Sequence, residues 1–432
     1  MKKFLALSLV LVIVLAACGG GTPAAGGGQA PAAGGGEQAP AGEQVTLQLW
    51  FWDAVMTDAV NDIIADFRTS NPDIDINISV TAWADYWLNL QTSLPAGAGP
   101  DMFWTNHPEA NNYMPSGLLM DLEGFNLDLS GFDPMQYQPF TFEGRLYGVP
   151  KFFDTIALFY NKAIFDEAGV PHPPHRGWTW EDALEAGQAL TVIEAGEVMQ
   201  FGLGLAHGVQ TVTGPFTFQA GGHIFNPDRT AVDINNPGAL EAFRFIHDAM
   251  FVHRVSPNPV ENATLNVQGA LFVNRMMAME VHGMWRAAPY FEALGDDLGI
   301  AHLPRGPVRE ANTFHNIAYV VSAATEYPDA VAAFLRYATT AAHGDIVAPV
   351  FLPSHNDSQH LWFENFPTLN LHVFAEAMEF AEPLQVSSIN SGPVFTVMGQ
   401  EFERAFMENE EITAEVMEEI NTAINTVIQS GQ

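Results

Sequence analysis

Residues 143–162 read EGRLYGVPKFFDTIALFYNK, and this stretch decides the predicted fold. Two runs rich in β-branched and aromatic residues, Arg145–Val149 and Thr155–Tyr160, favour strands. Pro150 lies between them and cannot donate a hydrogen bond to a strand ladder, so it predicts a break or an edge. An extended ribbon of this kind suits a crossover between two lobes, with Lys151–Asp154 facing a cleft. An ordinary edge strand followed by a loop fits the same residues, since short apolar runs are ambiguous.

The segment before this stretch alternates between strand and helix patterns. Its predicted elements are a strand at Val45–Trp52, a helix at Ala54–Ser70, a strand at Ile74–Val80, a helix at Asp85–Leu94 and a strand at Asp101–Thr105. This order implies a parallel sheet with right-handed crossovers. Ligands of such sheets lie beyond the carboxyl ends of the strands. The residues at those ends are Trp50–Asp53 and Thr105–His107.

The composition excludes some classes of partner. The chain has 432 residues, enough for two or three domains, with 50 acidic and 16 basic side chains and a formal net charge of −34. Phosphates would repel so acidic a surface, which argues against a nucleic-acid partner. It also argues against binding to anionic lipid by charge. The acidity itself indicates solubility more than it indicates function.

The first residues have the pattern of a bacterial lipoprotein signal. Two lysines precede an apolar run, Phe4–Leu15, which is too short to span a membrane comfortably and has the shape of a signal-peptide core. Leu15–Gly19, LAACG, resembles the lipobox, whose cysteine is acylated and begins the mature protein. We therefore expect a signal peptide at 1–17 and lipid attachment at Cys18. The alternative is an ordinary secretory cleavage site with a stray cysteine.

Residues 18–44 are expected to form a flexible linker behind that lipid anchor. Almost all of them after the cysteine are Gly, Ala, Pro, Gln or Glu, a composition that cannot bury a core. A flexible tether of this length spans roughly 25–30 Å on average. The sole cysteine also excludes an intramolecular disulfide and any cysteine-based metal site.

Nine short motifs occur in one order along the folded part. They are Leu49–Trp52, Phe67–Pro72, Ala98–Phe103, Gly117–Leu122, Tyr147–Pro150, Leu158–Phe165, Trp178–Glu181, Gly221–Gly222 and Met279–Trp285. With this order and spacing the chain resembles the family 1 extracellular solute-binding proteins of ABC importers, a group that includes many binders of sugars and oligosaccharides. One departure is His315–Ile317, where relatives often carry a glycine pair.

The resemblance implies an α/β, two-lobed fold of the periplasmic-binding-protein type. Each lobe would hold a parallel-dominated sheet flanked by helices, with a hinge between the lobes. Each lobe would also be discontinuous in the sequence. The expected boundaries are 45–152 and 272–322 for lobe 1, and 153–271 and 323–432 for lobe 2.

The candidate site residues follow from the chemistry of carbohydrates. Aromatic rings can pack on the apolar C–H faces of a sugar, and planar polar side chains can bond its hydroxyls. The resemblance implies that the loops carrying such residues line the cleft, although Asp53 and Asp154 could instead be caps or hinge bonds. The ligand-binding candidates are Trp52, Asp53, Asn106, His107, Phe153, Asp154, Gln219, Gly221, Trp285, Arg286 and Asn316. Trp83, Trp87 and Trp104 are expected in the core.

The ligand is expected to be neutral. Beyond the signal peptide the only lysines are Lys151 and Lys162, whereas a phosphate or dicarboxylate would require several positive donors. The alternatives are a carbohydrate-active enzyme or a binder of a polyol or glycerol phosphate. We find no Gly-x-Ser-x-Gly, His-Glu-x-x-His or P-loop motif. The 14 histidines are scattered, and His172 and His175 form a surface pair rather than a ligand set, so no metal or cofactor is predicted.

The resemblance also implies partners and a location. The predicted protein is a monomer, held outside the cytoplasm on the cell membrane by its lipid, in a periplasm or at a cell surface. Its two lobes would close over the ligand and deliver it to the transmembrane permease subunits of an ABC importer. A separate ATPase would drive transport, since this chain lacks a nucleotide-binding motif.

Overall fold

The stretch quoted above forms a single strand, Gly148–Asn161, that runs through both halves of the main sheet. The computed structural model describes residues 44–430. The predicted signal peptide, the lipid attachment at Cys18 and the predicted linker up to residue 43 lie outside the described residues.

The strands are, in chain order, β1 (Val45–Phe51), β2 (Ile74–Val80), β3 (Met102–Asn106), β4 (Thr141–Phe142), β5 (Arg145–Leu146), β6 (Gly148–Asn161), β7 (Val192–Glu194), β8 (Glu197–Gln200), β9 (Met279–Gly283), β10 (Leu298–Ala301), β11 (Asn312–Val321) and β12 (Ala381–Pro383). The helices are α1 (Thr57–Ser70), α2 (Trp83–Ser93), α3 (His107–Tyr113), α4 (Pro134–Tyr137), α5 (Lys162–Ala168), α6 (Trp180–Leu190), α7 (Gly214–Gln219), α8 (Pro237–Phe251), α9 (Pro259–Leu265), α10 (Ala270–Val273), α11 (Ala287–Leu294), α12 (Pro328–Ala338), α13 (Ala341–Val347), α14 (Gln359–Asn365), α15 (His372–Glu376), α16 (Ser391–Glu408) and α17 (Ala414–Ser430).

The first three strands form as their sequence patterns predict. In β1, Leu47, Leu49 and Phe51 are buried because successive side chains of a strand point to opposite faces. In α1 the helical spacing buries Val60 and Phe67, among others, against the sheet. β1 pairs in parallel with both β2 and β3, which confirms the predicted strand–helix–strand–helix–strand unit.

The main sheet has eight strands and continues through both lobes. Its order is β10-β6-β11-β3-β1-β2, with β9 added to β6 and β12 added to β11. The first part of β6, as far as Thr155, pairs with β11, and the second part pairs with β9 and β10. All three of these pairings are antiparallel, where a parallel-dominated sheet was expected. The direction in which a strand returns after a long connection is not encoded in its own residues.

The break predicted at Pro150 does not occur. The pairing of β6 with β11 shifts register between Ile317 and Ala318, so that Ala318 faces Pro150, Ile317 faces Phe152, and Lys151 is the extra residue of a bulge. A bulge is one of the few places where a sheet tolerates proline. The strand therefore continues through a residue that normally ends one.

Two groups of helices define the lobes. The first lobe comprises β1, β2, β3 and the adjoining parts of β6 and β11, with helices such as α1 and α12. Phe67 of α1 and Phe334 of α12 pack together in this lobe, with their ring centroids 5.4 Å apart. The second lobe comprises β9, β10 and the end of β6, with α6, α8, α16 and α17. The stacked rings of Trp180 and Phe216 lie in its core.

These contacts differ from the predicted boundaries in two segments. β9 and β10, which were assigned to lobe 1, pair with the second-lobe end of β6. α12, which was assigned to lobe 2, packs on the first lobe, where the Tyr337 hydroxyl donates to Asp66 Oδ2 at 2.8 Å. The chain passes between the lobes in β6, in β11 and again between α14 and α16. Composition does not change at these crossings, so the sequence gives no sign of them.

Within residues 44–430, no helix combines the length and the apolar character needed to span a membrane.

Candidate functional site

A cleft of about 830 Å³ lies where β6 and β11 pass from one lobe to the other. This volume is within the range of about 300–1,000 Å³ that small-molecule sites occupy. Both lobes contribute to its walls. Trp52 and Phe351 come from the first lobe, and Gln210, Trp285 and Phe395 come from the second.

Six of the eleven predicted residues line this cleft. They are Trp52, Asp53, Asn106, Asp154, Trp285 and Arg286. They belong to four segments that are distant in the sequence: the ends of β1 and β3, the middle of β6, and the turn after β9. Trp52, Asp53 and Asn106 thus lie where the rule that ligands bind beyond the carboxyl ends of parallel strands expects them, and their contact with a ligand stays a prediction.

The other five predicted residues lie outside the cleft lining, contrary to the prediction that they face the cleft. They are His107, Phe153, Gln219, Gly221 and Asn316. Phe153 and Asn316 lie outside the lining for the same reason, which is that side chains alternate between the two faces of a strand. In β6, Phe152 and Asp154 face the cleft, so Phe153 points into the core. In β11, His315 and Ile317 face it, so Asn316 is buried on the other side.

The remaining three corrections concern helix ends. Gln219 ends α7 and is fixed in the core, where its Oε1 accepts from Trp180 Nε1 at 2.6 Å and its Nε2 donates to the Ala311 carbonyl at 2.9 Å. Gly221 adopts a φ of +75° just after that helix, next to Val308. His107 begins α3 and is 4% exposed.

Several lining residues were missed. Phe152 and His315 were within reach of sequence reasoning, since they are one position from the predicted Phe153 and Asn316. Trp83 was expected in the core but is 48% exposed. The others with aromatic or amide side chains come from scattered segments that carry no shared pattern: Gln210, Gln268, Phe291, Phe351, Phe366 and Phe395.

The aromatic walls are braced by other rings. Trp52 packs edge-on against Trp83, with ring centroids 5.2 Å apart and an interplanar angle of 88°, and Trp87 lies 5.5 Å away. On the second lobe, Trp285 packs edge-on against His282 at 5.2 Å. These T-shaped contacts hold the rings at defined angles. The cleft therefore offers flat apolar surfaces from opposite lobes.

A buried polar network lies at the crossing of β6 and β11. Asp154 Oδ1 accepts from Gln210 Nε2 at 2.8 Å, and Asp154 Oδ2 lies 3.2 Å from His315 Nδ1. Gln210 is itself anchored, because Thr313 Oγ1 donates to its backbone carbonyl at 2.6 Å. Burial raises the pKa of Asp154, while the contacts with His315 and Gln210 oppose this shift. Each carboxylate oxygen keeps a further lone pair with which a ligand hydroxyl can bond.

Lys151 lies beneath the cleft rather than in its lining. Its Nζ is 3.0 Å from the centroid of the Trp104 ring and 4.3 Å from that of Phe152. It has no hydrogen-bond partner among residues 44–430. Burial lowers the pKa of Lys151 well below its usual value, and the charge of Asp53 opposes this shift only in part. Burial likewise raises the pKa of Asp53. The hydrogen bond from the Val55 amide and the charge of Lys151 oppose this shift.

The charges that face the cleft disfavour an anionic ligand. Of the described residues that line it, Arg286 alone carries a permanent positive charge, and Asp53, Asp154 and Glu292 carry carboxyl groups. Arg286 Nη1 already donates to Gln268 Oε1 at 3.1 Å. The one group of three His, Asp or Glu side chains that the described part of the chain brings within reach of a single metal ion lies outside this lining. The arrangement is suited to an uncharged ligand with apolar faces and hydroxyl groups.

The family model described as "Bacterial extracellular solute-binding protein" matches residues 53–344. Among curated proteins, a putative binding protein of Brucella abortus is 27% identical over 288 residues, which cover 64% of this chain and 66% of that protein. The maltotriose-binding protein of Pyrococcus abyssi is 25% identical over 232 residues, covering 53% of this chain and 47% of that protein. The alignments thus span at most about two thirds of these relatives.

Among solved structures, an ABC substrate-binding protein from Listeria monocytogenes in complex with cycloalternan superposes with a TM-score of 0.81. The two sequences are 23% identical, and the match covers 89% of this chain and 99% of that one. At this identity the likeness shows the fold alone. The predicted two-lobed α/β fold is confirmed.

Proposed function

This chain belongs to the bacterial extracellular solute-binding protein family, and from that premise we propose that it captures a neutral sugar or oligosaccharide outside the cytoplasm for an ABC importer. The observation that carries the proposal is the cleft, which presents aromatic rings from both lobes and a single permanent positive charge among its described lining residues. We propose that the cleft binds the ligand and does not catalyse a reaction on it.

The chemistry of the lining supports a saccharide. Trp52 and Trp285 offer ring faces to the C–H faces of sugar rings, and Asp154 and Asn106 offer acceptors and donors to hydroxyls. Most ligand sites combine an apolar lining with a few polar groups that fix orientation. Maltotriose and cycloalternan, named in two of the similar proteins, are neutral saccharides.

The mechanism we propose is closure of the lobes over the ligand. β6 and β11 pass between the lobes and would form the hinge, and Asp154, Gln210 and His315 meet beside them. A sugar that contacts Trp52 and Trp285 at once binds the closed form more tightly than the open form. Binding therefore shifts the population toward closure. The closed monomer would then deliver its ligand to the permease subunits.

Attachment to the membrane through an acylated Cys18 is also part of the proposal. It is supported by the apolar run and the LAACG sequence at residues 15–19. A flexible linker behind that anchor would keep the folded part near the permease.

A thermal-shift screen tests the proposed ligand class. We expect at least one neutral saccharide to raise the unfolding midpoint, since a ligand at 100 times its dissociation constant adds about 2.7 kcal/mol to the free energy of unfolding. Glycerol phosphates and dicarboxylates, tested at the same concentrations, should leave the midpoint unchanged. Stabilisation by the anionic compounds alone would refute the assignment. Recovery of the bound saccharide uncut after prolonged incubation would separate a binding protein from an enzyme.

A further inference from the structure

Three potential metal ligands converge at a place that is separate from the cleft. His175 lies in the loop after α5, His302 follows β10, and Glu376 ends α15. The Nε2 atoms of His175 and His302 lie 2.8 Å and 2.9 Å from the same oxygen, Glu376 Oε2. The three ligand atoms all lie within 4.8 Å of one another. None of these residues lines the cleft.

We propose that His175, His302 and Glu376 bind a divalent transition-metal ion, with Zn²⁺ as the preferred species. Two imidazole nitrogens and one carboxylate oxygen are typical zinc ligands, at about 2.0–2.2 Å from the ion. Such bond lengths separate neighbouring ligand atoms of a tetrahedral ion by about 3.3 Å. Each nitrogen would therefore move away from the carboxylate oxygen by a few tenths of an ångström, and the two nitrogens, which lie within 4.8 Å of each other, would settle at about the same separation.

The surroundings suit entry of an ion. The side chains of His175 and Glu376 are 49% and 40% exposed, whereas that of His302 is 2% exposed. A hydrated ion therefore reaches the two outer ligands from solvent, and the buried imidazole supplies the third ligand. The fourth position would be taken by water.

A second layer of contacts orients the imidazole of His175. Asn370 Nδ2 lies 2.6 Å from His175 Nδ1, and the His302 amide donates to the His175 carbonyl at 3.1 Å. A half-turn of the Asn370 amide would present its oxygen to Nδ1–H, which leaves Nε2 free for the ion. Second-layer contacts of this kind are usual for metal-bound histidines.

The adjacent cation, Arg176, is already neutralised. Arg176 Nη2 lies 2.6 Å from Glu310 Oε2, and Arg176 Nη1 lies 3.6 Å from Glu379 Oε2. Repulsion of a second positive charge is therefore reduced. Without an ion, the same three side chains form a hydrogen-bonded His–carboxylate–His group, and metal titration distinguishes the two states.

The site would stabilise the last passage between the lobes. Glu376 belongs to the segment that leads from the first-lobe helices to α16 in the second lobe, while His175 and His302 lie in the second lobe. A bound ion would thus attach that segment to the second lobe. The role proposed is structural, and it does not depend on the identity of the cleft ligand.

Metal titration of the purified protein, after removal of metals by EDTA and desalting, tests this site. We expect Zn²⁺ to bind in a 1:1 ratio by calorimetry and to raise the unfolding midpoint, and Co²⁺ to give the visible absorption of a four-coordinate ion. The variants His175→Ala and Glu376→Gln should bind at least about 100-fold more weakly. His175 is exposed and Glu376 is partly exposed, so both variants should fold.

His172→Ala is the matched control. His172 lies in the same loop as His175 and forms a similar histidine–carboxylate pair, with its Nε2 2.9 Å from Oδ1 of Asp166 in α5. Its replacement should leave the affinity for Zn²⁺ unchanged. The proposal is overturned if the wild-type protein binds no stoichiometric Zn²⁺. It is equally overturned if His175→Ala and Glu376→Gln bind Zn²⁺ as tightly as the wild-type protein does.

Discussion

Replacing Trp285 with alanine is expected to weaken saccharide binding at least about 30-fold, which corresponds to about 2 kcal/mol. Trp285 lines the cleft from the second lobe and is held edge-on against His282. Loss of about 80 Å² of apolar ring contact, at about 25 cal/mol per Å², accounts for this energy. Calorimetric titration with the saccharide found by thermal shift measures the change directly.

Trp178→Ala is the control for this substitution. Trp178 is also partly buried and packs on the core of the second lobe, but it lies outside the cleft lining. Its replacement should destabilise the fold without a loss of affinity, provided that binding is measured well below the unfolding midpoint. An affinity of Trp285→Ala within threefold of the wild-type value would show that Trp285 does not contact the ligand.

Replacing Lys151 with methionine is expected to raise the free energy of unfolding by about 1–3 kcal/mol at pH 7, the usual cost of a buried polar group without a partner. Lys151 is 1% exposed, packs on the Trp104 ring and has no hydrogen-bond partner in the described part of the chain. Methionine has a similar length, is apolar and adapts to irregular core spaces. Chemical denaturation of both proteins provides the comparison.

The same substitution should change the pH dependence of stability. The pKa of Lys151 in the folded protein lies well below its ordinary value of 10.5. At a pH between the pKa of Lys151 in the folded protein and its pKa in the unfolded chain, the unfolded chain binds a proton that the folded protein does not. The free energy of unfolding of the wild-type protein therefore rises with pH in this range. The slope is at most about 1.4 kcal/mol per pH unit. The advantage of Lys151→Met should therefore shrink as the pH is raised.

Lys162→Met serves as the control, because Lys162 lies at the surface with its Nζ donating to the Asp296 carbonyl at 3.0 Å. Its replacement should change the free energy of unfolding by no more than about 0.5 kcal/mol. A Lys151→Met protein that is less stable than the wild type at pH 7 would mean that the ammonium group stabilises the fold.

Local patterns predicted the elements that depend on periodicity. The alternation in β1 and the helical spacing in α1 came directly from the sequence, and the carboxyl ends of β1 and β3 led to Trp52, Asp53 and Asn106. These features depend on neighbours within a few residues. They can therefore be predicted without knowledge of the tertiary structure.

The misses depend on tertiary structure. The pairing of β6 with β11 determines which face of β6 turns toward the cleft. For this reason Phe152 lines the cleft and the predicted Phe153 does not. The bulge that accommodates Pro150 likewise depends on its partner strand. Phe351 and Phe395 line the cleft, but nothing in the sequence indicates that their segments lie near it. The exposed position of Trp83 arises because α2 begins at the cleft rim.

Solution X-ray scattering with and without a saturating neutral saccharide tests the central claim most directly. If the two lobes close over an uncharged sugar between Trp52 and Trp285, the radius of gyration should fall on saturation. The Trp285→Ala protein should show the same decrease only at a higher saccharide concentration. An unchanged radius of gyration for the wild-type protein, at a concentration where calorimetry shows full binding, would contradict closure around the ligand.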